Sequence, residues 1–269
     1  MEVQWLGHAT ALVELGGTRV LTDPVLGRRI GPLVRVADPV DPAAVARIDA
    51  VLLSHLHADH AQPASIRRLG SPAVIAPRGS SRWLRRHGIV NVRELRRGQE
   101  LEVQGVRITA VAATHDGRRR PLGPSADALG YLIREHGRGA YFAGDTDLFA
   151  GMADLDGEVD LALLPVSGWG RTLGPGHLDP ARAARAAALI APRVAIPIHW
   201  GTFALPRPLR GKPAGAAPAL EFMHRVAREA PSVEVRVLQP GERTRLAPLD
   251  QIPATASSLP PSIASRRAR

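Results

Sequence analysis

Short apolar runs separated by turn residues fill the first 25 positions. Residues 3–6, 11–15 and 19–22 read as strands, and Gly16-Gly17 closes the hairpin between the last two. Val51-Leu52-Leu53-Ser54 is a short buried strand that runs straight into a histidine-rich loop. Residues 65–69 and 80–87 carry helical spacing, the second with Ser80 as its N-cap. Further strands are predicted at 73–76, 106–112, 129–134, 140–143 and 161–166. Asp179-Pro180 pairs an N-cap with proline at the first helical position, opening an alanine-rich helix to about residue 190. A strand at 194–198 ends in His199, a helix covers 219–229, and a last strand covers 233–238. Hairpins come first and strand–helix alternation later, so the fold class is α/β, with mixed sheets covered by helices. The strand pattern is compatible with a duplicated half, each half carrying site residues. From residue 250 periodicity is lost in a Ser/Pro-rich stretch that ends Arg266-Arg267-Ala268-Arg269. The chain therefore divides into a domain over 1–249 and a disordered basic tail over 250–269.

Composition narrows the classes. With 45% apolar and 22% charged residues over 269 positions, the chain reads as a soluble globular protein. The absence of cysteine excludes disulfide scaffolds, thiolate-zinc ribbons, iron–sulfur clusters and cysteine nucleophiles. No apolar run approaches the roughly 20 residues that span a bilayer. Met1-Glu2-Val3-Gln4-Trp5 lacks a basic stretch before an apolar one, so a cytoplasmic location is expected. The net charge of +10 comes from 35 Lys+Arg, with Lys212 the only lysine, against 25 Asp+Glu. Seven arginines against Glu94 between positions 78 and 97 supply +6 of it. Arg85-Arg86 and Arg96-Arg97 sit among Trp83, Leu84 and Leu95, as on a solvated face. A nucleic acid, a membrane surface or an acidic substrate is the other reading of that charge.

The strongest chemical signal is Ser54-His55-Leu56-His57-Ala58-Asp59-His60. Four potential metal ligands occupy six positions directly after a buried strand. In a turn leaving a strand, His55 and His57 can face one side while Asp59 and His60 reach another, which suits two adjacent metals. His115, Asp145 and His199 each follow a predicted strand. Taken singly, a histidine there is an ordinary satisfied polar residue and an Asp after Gly144 is an ordinary turn residue. The 55–60 cluster differs, because neither packing nor solvation calls for three histidines and an aspartate together.

On these residues the chain resembles the metallo-β-lactamase-fold superfamily, whose signature is His-x-His-x-Asp-His, over almost its whole length to about residue 245. Trp5-Leu6-Gly7-His8-Ala9-Thr10 with Thr22-Asp23-Pro24 is similar to the branch of the L-ascorbate 6-phosphate lactonases and the N-acyl-phosphatidylethanolamine-hydrolysing phospholipase D. So is His177-Leu178-Asp179-Pro180 followed by Ile198-His199-Trp200-Gly201-Thr202-Phe203. The resemblance implies a four-layer αβ/βα sandwich with the metals at one edge of paired sheets. It assigns His55, His57 and His115 to a first metal and Asp59, His60 and His199 to a second, with Asp145 bridging. Two divalent ions are expected, Zn2+ first, with Mn2+ or Fe2+ suited to the same nitrogen-and-oxygen set. A hydroxide shared between the ions would be the nucleophile, oriented by Asp59. His177 would donate a hydrogen bond or a proton at the leaving group, while Asp179 caps its helix. His8 and Asp23 are candidates to hold ligand imidazoles by hydrogen bonds, with a plain structural role equally open for His8.

Arg118-Arg119-Arg120 follows His115 by three residues, and Arg171 lies in a second glycine-rich loop. Guanidinium groups bind phosphate oxygens in pairs, so a phosphodiester or another anionic ester is the leading substrate class, against solvated loop charge. A lactonase or carboxylic-ester hydrolase is the alternative. Only 4% of residues are aromatic and no apolar docking segment is visible, which argues against a bilayer lipid. β-Lactam hydrolysis is disfavoured by Asp145 and the lack of cysteine. Nucleic-acid binding is not expected, since the 53 residues between Asp145 and His199 leave no room for an extra domain. A non-catalytic metal-binding protein is the remaining class.

Overall fold

The computed structural model describes residues 1–119, 123–168, 173–206 and 215–247. β1 (Glu2–Gly7), β2 (Thr10–Leu15) and β3 (Thr18–Thr22) form an antiparallel meander, and β4 (Arg29–Ile30) and β5 (Leu33–Arg35) form a small hairpin beside it. β6 (Ala50–Leu52), α1 (Pro63–Arg67), β7 (Ala73–Pro77), α2 (Ser81–Arg86) and β8 (Val92–Leu95) extend the meander with three parallel strands. The second sheet repeats this plan. β9 (Glu100–Val103), β10 (Val106–Ala112), β11 (Leu129–Glu135) and β12 (Arg138–Phe142) run antiparallel. β13 (Leu161–Pro165) and, after α3 (Pro180–Ile190), β14 (Val194–Ile198) add in parallel. β15 (Phe203–Ala204) joins β5 and β4, α4 (Ala217–Glu229) leads to β16 (Glu234–Val235) beside β14, and β17 (Arg243–Arg245) pairs with β1. The strand orders are β17-β1-β2-β3-β6-β7-β8 and β16-β14-β13-β12-β11-β10-β9. The duplication is thus one of topology, a meander followed by parallel strands in each sheet.

Side-chain alternation along the first sheet explains the layering. Leu12, Leu21, Val51, Leu53, Val74 and Ala76 join Ile66 of α1 and Leu84 of α2 in one buried cluster. Their chain neighbours Ala11, Val13, Val20, Ala50, Leu52 and Ile75 face the other way, into the core shared with the second sheet. Since successive strand residues point to opposite faces, the first sheet is covered by helices on one side and by a sheet on the other. In α3 the small residues Ala183, Ala186 and Ala187, with Ile190, line the buried stripe, and α3 and α4 share the second sheet's cluster. The resulting order of layers is helices, sheet, sheet, helices. Among the described residues no helix is long and apolar enough to cross a membrane.

Several expected boundaries move. The first helix begins at Pro63, where a proline at N1 needs no N–H partner. Ser80 is itself helical in backbone and makes no side-chain cap. The last expected strand is confined to Glu234–Val235. β8 and β9 were not anticipated: both are sheet edges, and their alternating charges are what an edge strand needs to stay unpaired. The tail over 250–269 lies outside the described residues, as do Arg120 and Arg171.

Candidate metal centre

The centre lies where strand ends of both sheets converge. β6 delivers the loop 54–60, and β10, β12 and β14 deliver His115, Asp145 and His199. The base of the loop is tied across the sandwich: Leu129 N donates to Ser54 O at 2.9 Å and Tyr131 Oη to Leu53 O at 2.8 Å. Three non-glycine residues here adopt left-handed backbone, His8 at φ 53°, Asp23 at φ 30° and His199 at φ 67°. Such conformations persist only where the surroundings over-determine them, and they concentrate at functional sites.

Each buried imidazole has one nitrogen committed to an oxygen. Asp23, fully buried, accepts Ser54 N at 2.7 Å on Oδ1, and Ser54 Oγ at 2.5 Å and His60 Nδ1 at 2.6 Å on Oδ2. With its single hydrogen on Asp23, Ser54 Oγ accepts from His55 Nδ1 at 2.9 Å. His115 Nδ1 donates to Gly176 O at 2.8 Å and His199 Nδ1 to Ser167 O at 2.7 Å. With Nδ1 committed in this way, the Nε2 atoms of His55, His60, His115 and His199 point toward the middle of the centre, where imidazoles stand ring to ring. His199 Nε2 stands 3.3 Å from His60 Nε2, and His115 Nε2 stands 3.2 Å from His57 Nδ1. Bare ring nitrogens this close repel unless a cation or a proton lies between them.

The donors sort into two groups, His55/His57/His115 and Asp59/His60/His199, with His8 beside the second. Asp145 lies against both. Its Oδ2 is 3.1 Å from His60 Nε2, its Oδ1 is 3.4 Å from His199 Nε2, and it clusters with His115 and His177. Buried His55 Nε2 and Asp145 Oδ1 have no hydrogen-bond partner among the described residues. Orphaned polar atoms of this kind are costly without a ligand, so the residues present fit divalent metal binding.

Charge is balanced within the cluster. Burial pushes His115 down to about 4 and His8 down to about 3, so both imidazoles are neutral at pH 7. Burial also disfavours the Asp145 and Asp59 carboxylates, but neighbouring imidazoles overcome this and hold both well below the usual carboxylate range. His60 is the exception. Burial alone would lower it, yet Asp145, Asp59 and Asp23 together hold it well above the ordinary histidine value.

The remaining candidates fall in distinct places. His8 Nε2 donates to Asp59 Oδ2 at 3.2 Å, and its ring centroid lies 3.9 Å from that of His199. His8 O also accepts from His199 N and from the Trp5 indole, both at 2.9 Å. His177 is about a quarter exposed, with Nε2 3.6 Å from Asp145 Oδ2 and Nδ1 donating to Gly174 O at 3.1 Å. Asp179 accepts Arg182 N at 2.8 Å and caps α3. Arg118 is exposed on the loop beyond His115. Arg119 is committed to the carbonyls of Leu56 and Ala61. Ser54, Thr202, Ser167 and Gly176 support the centre without having been anticipated. Ser54, adjoining the histidine cluster, and Thr202, whose hydroxyl accepts from His8 N at 2.7 Å, lie in motifs the sequence displays, whereas the carbonyls of Ser167 and Gly176 have no sequence signal.

The beta-lactamase superfamily domain, as a sequence family, matches residues 18–200, a stretch that includes all seven donors named above. A UPF0173 metal-dependent hydrolase of Methanopyrus kandleri is 35% identical over 249 residues, covering 90% of this chain and 98% of that one. Among solved structures, the metallo hydrolase Igni18 of Ignicoccus hospitalis has a TM-score of 0.69 at 24% identity, over 90% of this chain and 97% of that one. An isothiocyanate hydrolase from Delia radicum gut bacteria has a TM-score of 0.68 at 19% identity, over 91% and 99%. These two likenesses are of fold. With the sequence family and a full-length relative in agreement, the chain belongs to the metallo-β-lactamase superfamily, among its UPF0173 metal-dependent hydrolases.

Proposed function

We propose that this chain hydrolyses a small anionic ester, a phosphodiester foremost, at a centre for two divalent ions. The carrying observation is the pair of donor groups, His55/His57/His115 and Asp59/His60/His199, with the buried Asp145 carboxylate against both. Bound there, two such ions, zinc first, would supply Lewis acidity and lower the pKa of the water they hold. The chain's own groups do the rest. The hydrogen bond from His8 fixes the rotation of Asp59, which orients the attacking water as a proton acceptor. His177, partly exposed and beside Asp145, presents Nε2 toward the centre, where it donates a hydrogen bond or a proton to the leaving oxygen. Asp23 and Ser54 keep His60 and His55 in the tautomers that present Nε2.

The cavity beside His115 supports a small substrate. A cavity of about 520 Å³ has His115 in its wall, with Arg97 and Phe149 beside the carboxylates of Asp116 and Asp127. That volume is in the range of small-molecule sites. Arg97 offers a planar donor fork in this wall, and Arg118 is exposed on the loop beyond His115. A carbon electrophile, such as a lactone or carboxylic ester, is the second reading, since a protein of this fold is an isothiocyanate hydrolase. The test is hydrolysis of an activated phosphodiester by the zinc- or manganese-loaded protein, with Asp145→Asn as control. Turnover lost on substitution is expected. No turnover from protein shown to hold two ions would overturn the diester reading in favour of lactones and carboxylic esters.

A further inference from the structure

Arg119 spans two loops of the centre. Its Nη1 donates to Leu56 O at 2.8 Å and to Ala61 O at 3.0 Å, and its guanidinium carbon lies 4.4 Å from the centroid of the Trp83 ring on α2. Leu56 and Ala61 bracket the stretch that carries His57, Asp59 and His60. Four residues before Arg119 in the chain stands His115. One guanidinium thus ties the His115 segment to both ends of the other ligand loop. Burial lowers the Arg119 pKa and the Asp59 carboxylate works against that, so the charge also faces the loop electrostatically.

The need for such a tie differs between the two donor groups. His60 is held by Asp23, Asp59 by His8, and His199 by Ser167 O. His57 alone among the imidazole donors has no oxygen holding a ring nitrogen among the described residues. Its ring hydrogen-bond contact is His115 Nε2 at 3.2 Å. The position of His57 therefore depends on its backbone, and Arg119 pins that backbone on either side.

We propose that Arg119 is a positioning residue of the metal centre: by pinning Leu56 O and Ala61 O to the His115 segment, it sets the spacing of His57 and His115. The inference rests on the two-ion reading above. Second contacts of this kind change metal affinity by about 10–100-fold when removed.

The test is chelator competition on the Co2+-loaded protein, following the visible absorption of each bound ion. The wild type, Arg119→Ala and Arg119→Lys are compared, with the Tm of each metal-free protein recorded. For Arg119→Ala one ion is expected to bind about 10–100-fold more weakly while the other stays within about threefold. Lysine keeps the charge but cannot lie flat on Trp83 or hold a planar fork, so Arg119→Lys is expected to fall between. It remains readable if the alanine variant fails to fold. Equal weakening at both ions alongside a lowered Tm would reveal a general structural role and overturn the proposal, as would unchanged affinity. A wild type that takes up fewer than two equivalents would instead overturn the two-ion reading.

Discussion

His60 is the one imidazole of the centre whose two nitrogens both face carboxylates. Nδ1 meets Asp23 Oδ2 at 2.6 Å, and Nε2 meets Asp145 Oδ2 at 3.1 Å. These neighbours outweigh the effect of burial and raise its pKa well above the ordinary value, which favours a second proton on His60 in the metal-free protein. An ion arriving at Nε2 must displace that proton. Because the folded-state pKa is raised, proton and metal compete throughout the pH range below it, and affinity strengthens as pH rises toward it. About one proton released from His60 per protein on loading at pH 7 is expected, from calorimetry in two buffers of different ionisation enthalpy. A heat independent of buffer would contradict the assignment. At this scale the sequence was most legible where ligands are neighbours in the chain. Positions 55–60 announce themselves, and Asp23 was a candidate through the resemblance carried by Thr22-Asp23-Pro24. Ser167 O, Gly176 O and the two carbonyls under Arg119 could not be suspected, because any residue supplies a carbonyl.

The strands that end in chemistry were legible as elements, because each is an apolar run stopped by a polar residue. Leu161–Pro165 and Val194–Ile198 are buried at every position, as parallel strands covered on both faces must be. The three-stranded sheet of β4, β5 and β15 was not, since strands of two or three residues contain no period to read. β17 pairs with β1 across some 240 positions, a contact that local patterning does not encode. Between β12 and Asp145 the turn depends on Gly144, whose φ is +61° and whose added Cβ would meet Ser54 Cβ at 2.4 Å. Gly144→Ala therefore combines a left-handed alanine, about 1–2 kcal/mol, with a collision against the residue that holds His55. A loss of about 2 kcal/mol or more is expected in denaturant unfolding of the metal-free protein, together with weakened metal retention. An unchanged midpoint would show that the turn relaxes freely.

The whole molecule is two similar sheets that meet face to face, and the centre straddles their seam. His8, Asp23 and the 55–60 loop come from the first sheet, while His115, Asp145 and His199 come from the second. Ions held by both would stabilise the assembled sandwich over any opened form. At a free ion concentration a hundredfold above Kd, each site contributes about 2.7 kcal/mol, or about 5–10 °C in Tm for a chain of this size. Chelation of protein shown to carry two ions is expected to lower Tm by at least that much, and an unmoved Tm would show that the ions do not favour the folded state. The seam has a kinetic consequence too. An ion clasped by loops from only one sheet leaves when its own ligands let go. Here each donor group draws on loops of both sheets, so release of an ion held there would be coupled to relative motion of the two faces, and its exchange rate would act as a clock for the breathing of the sandwich.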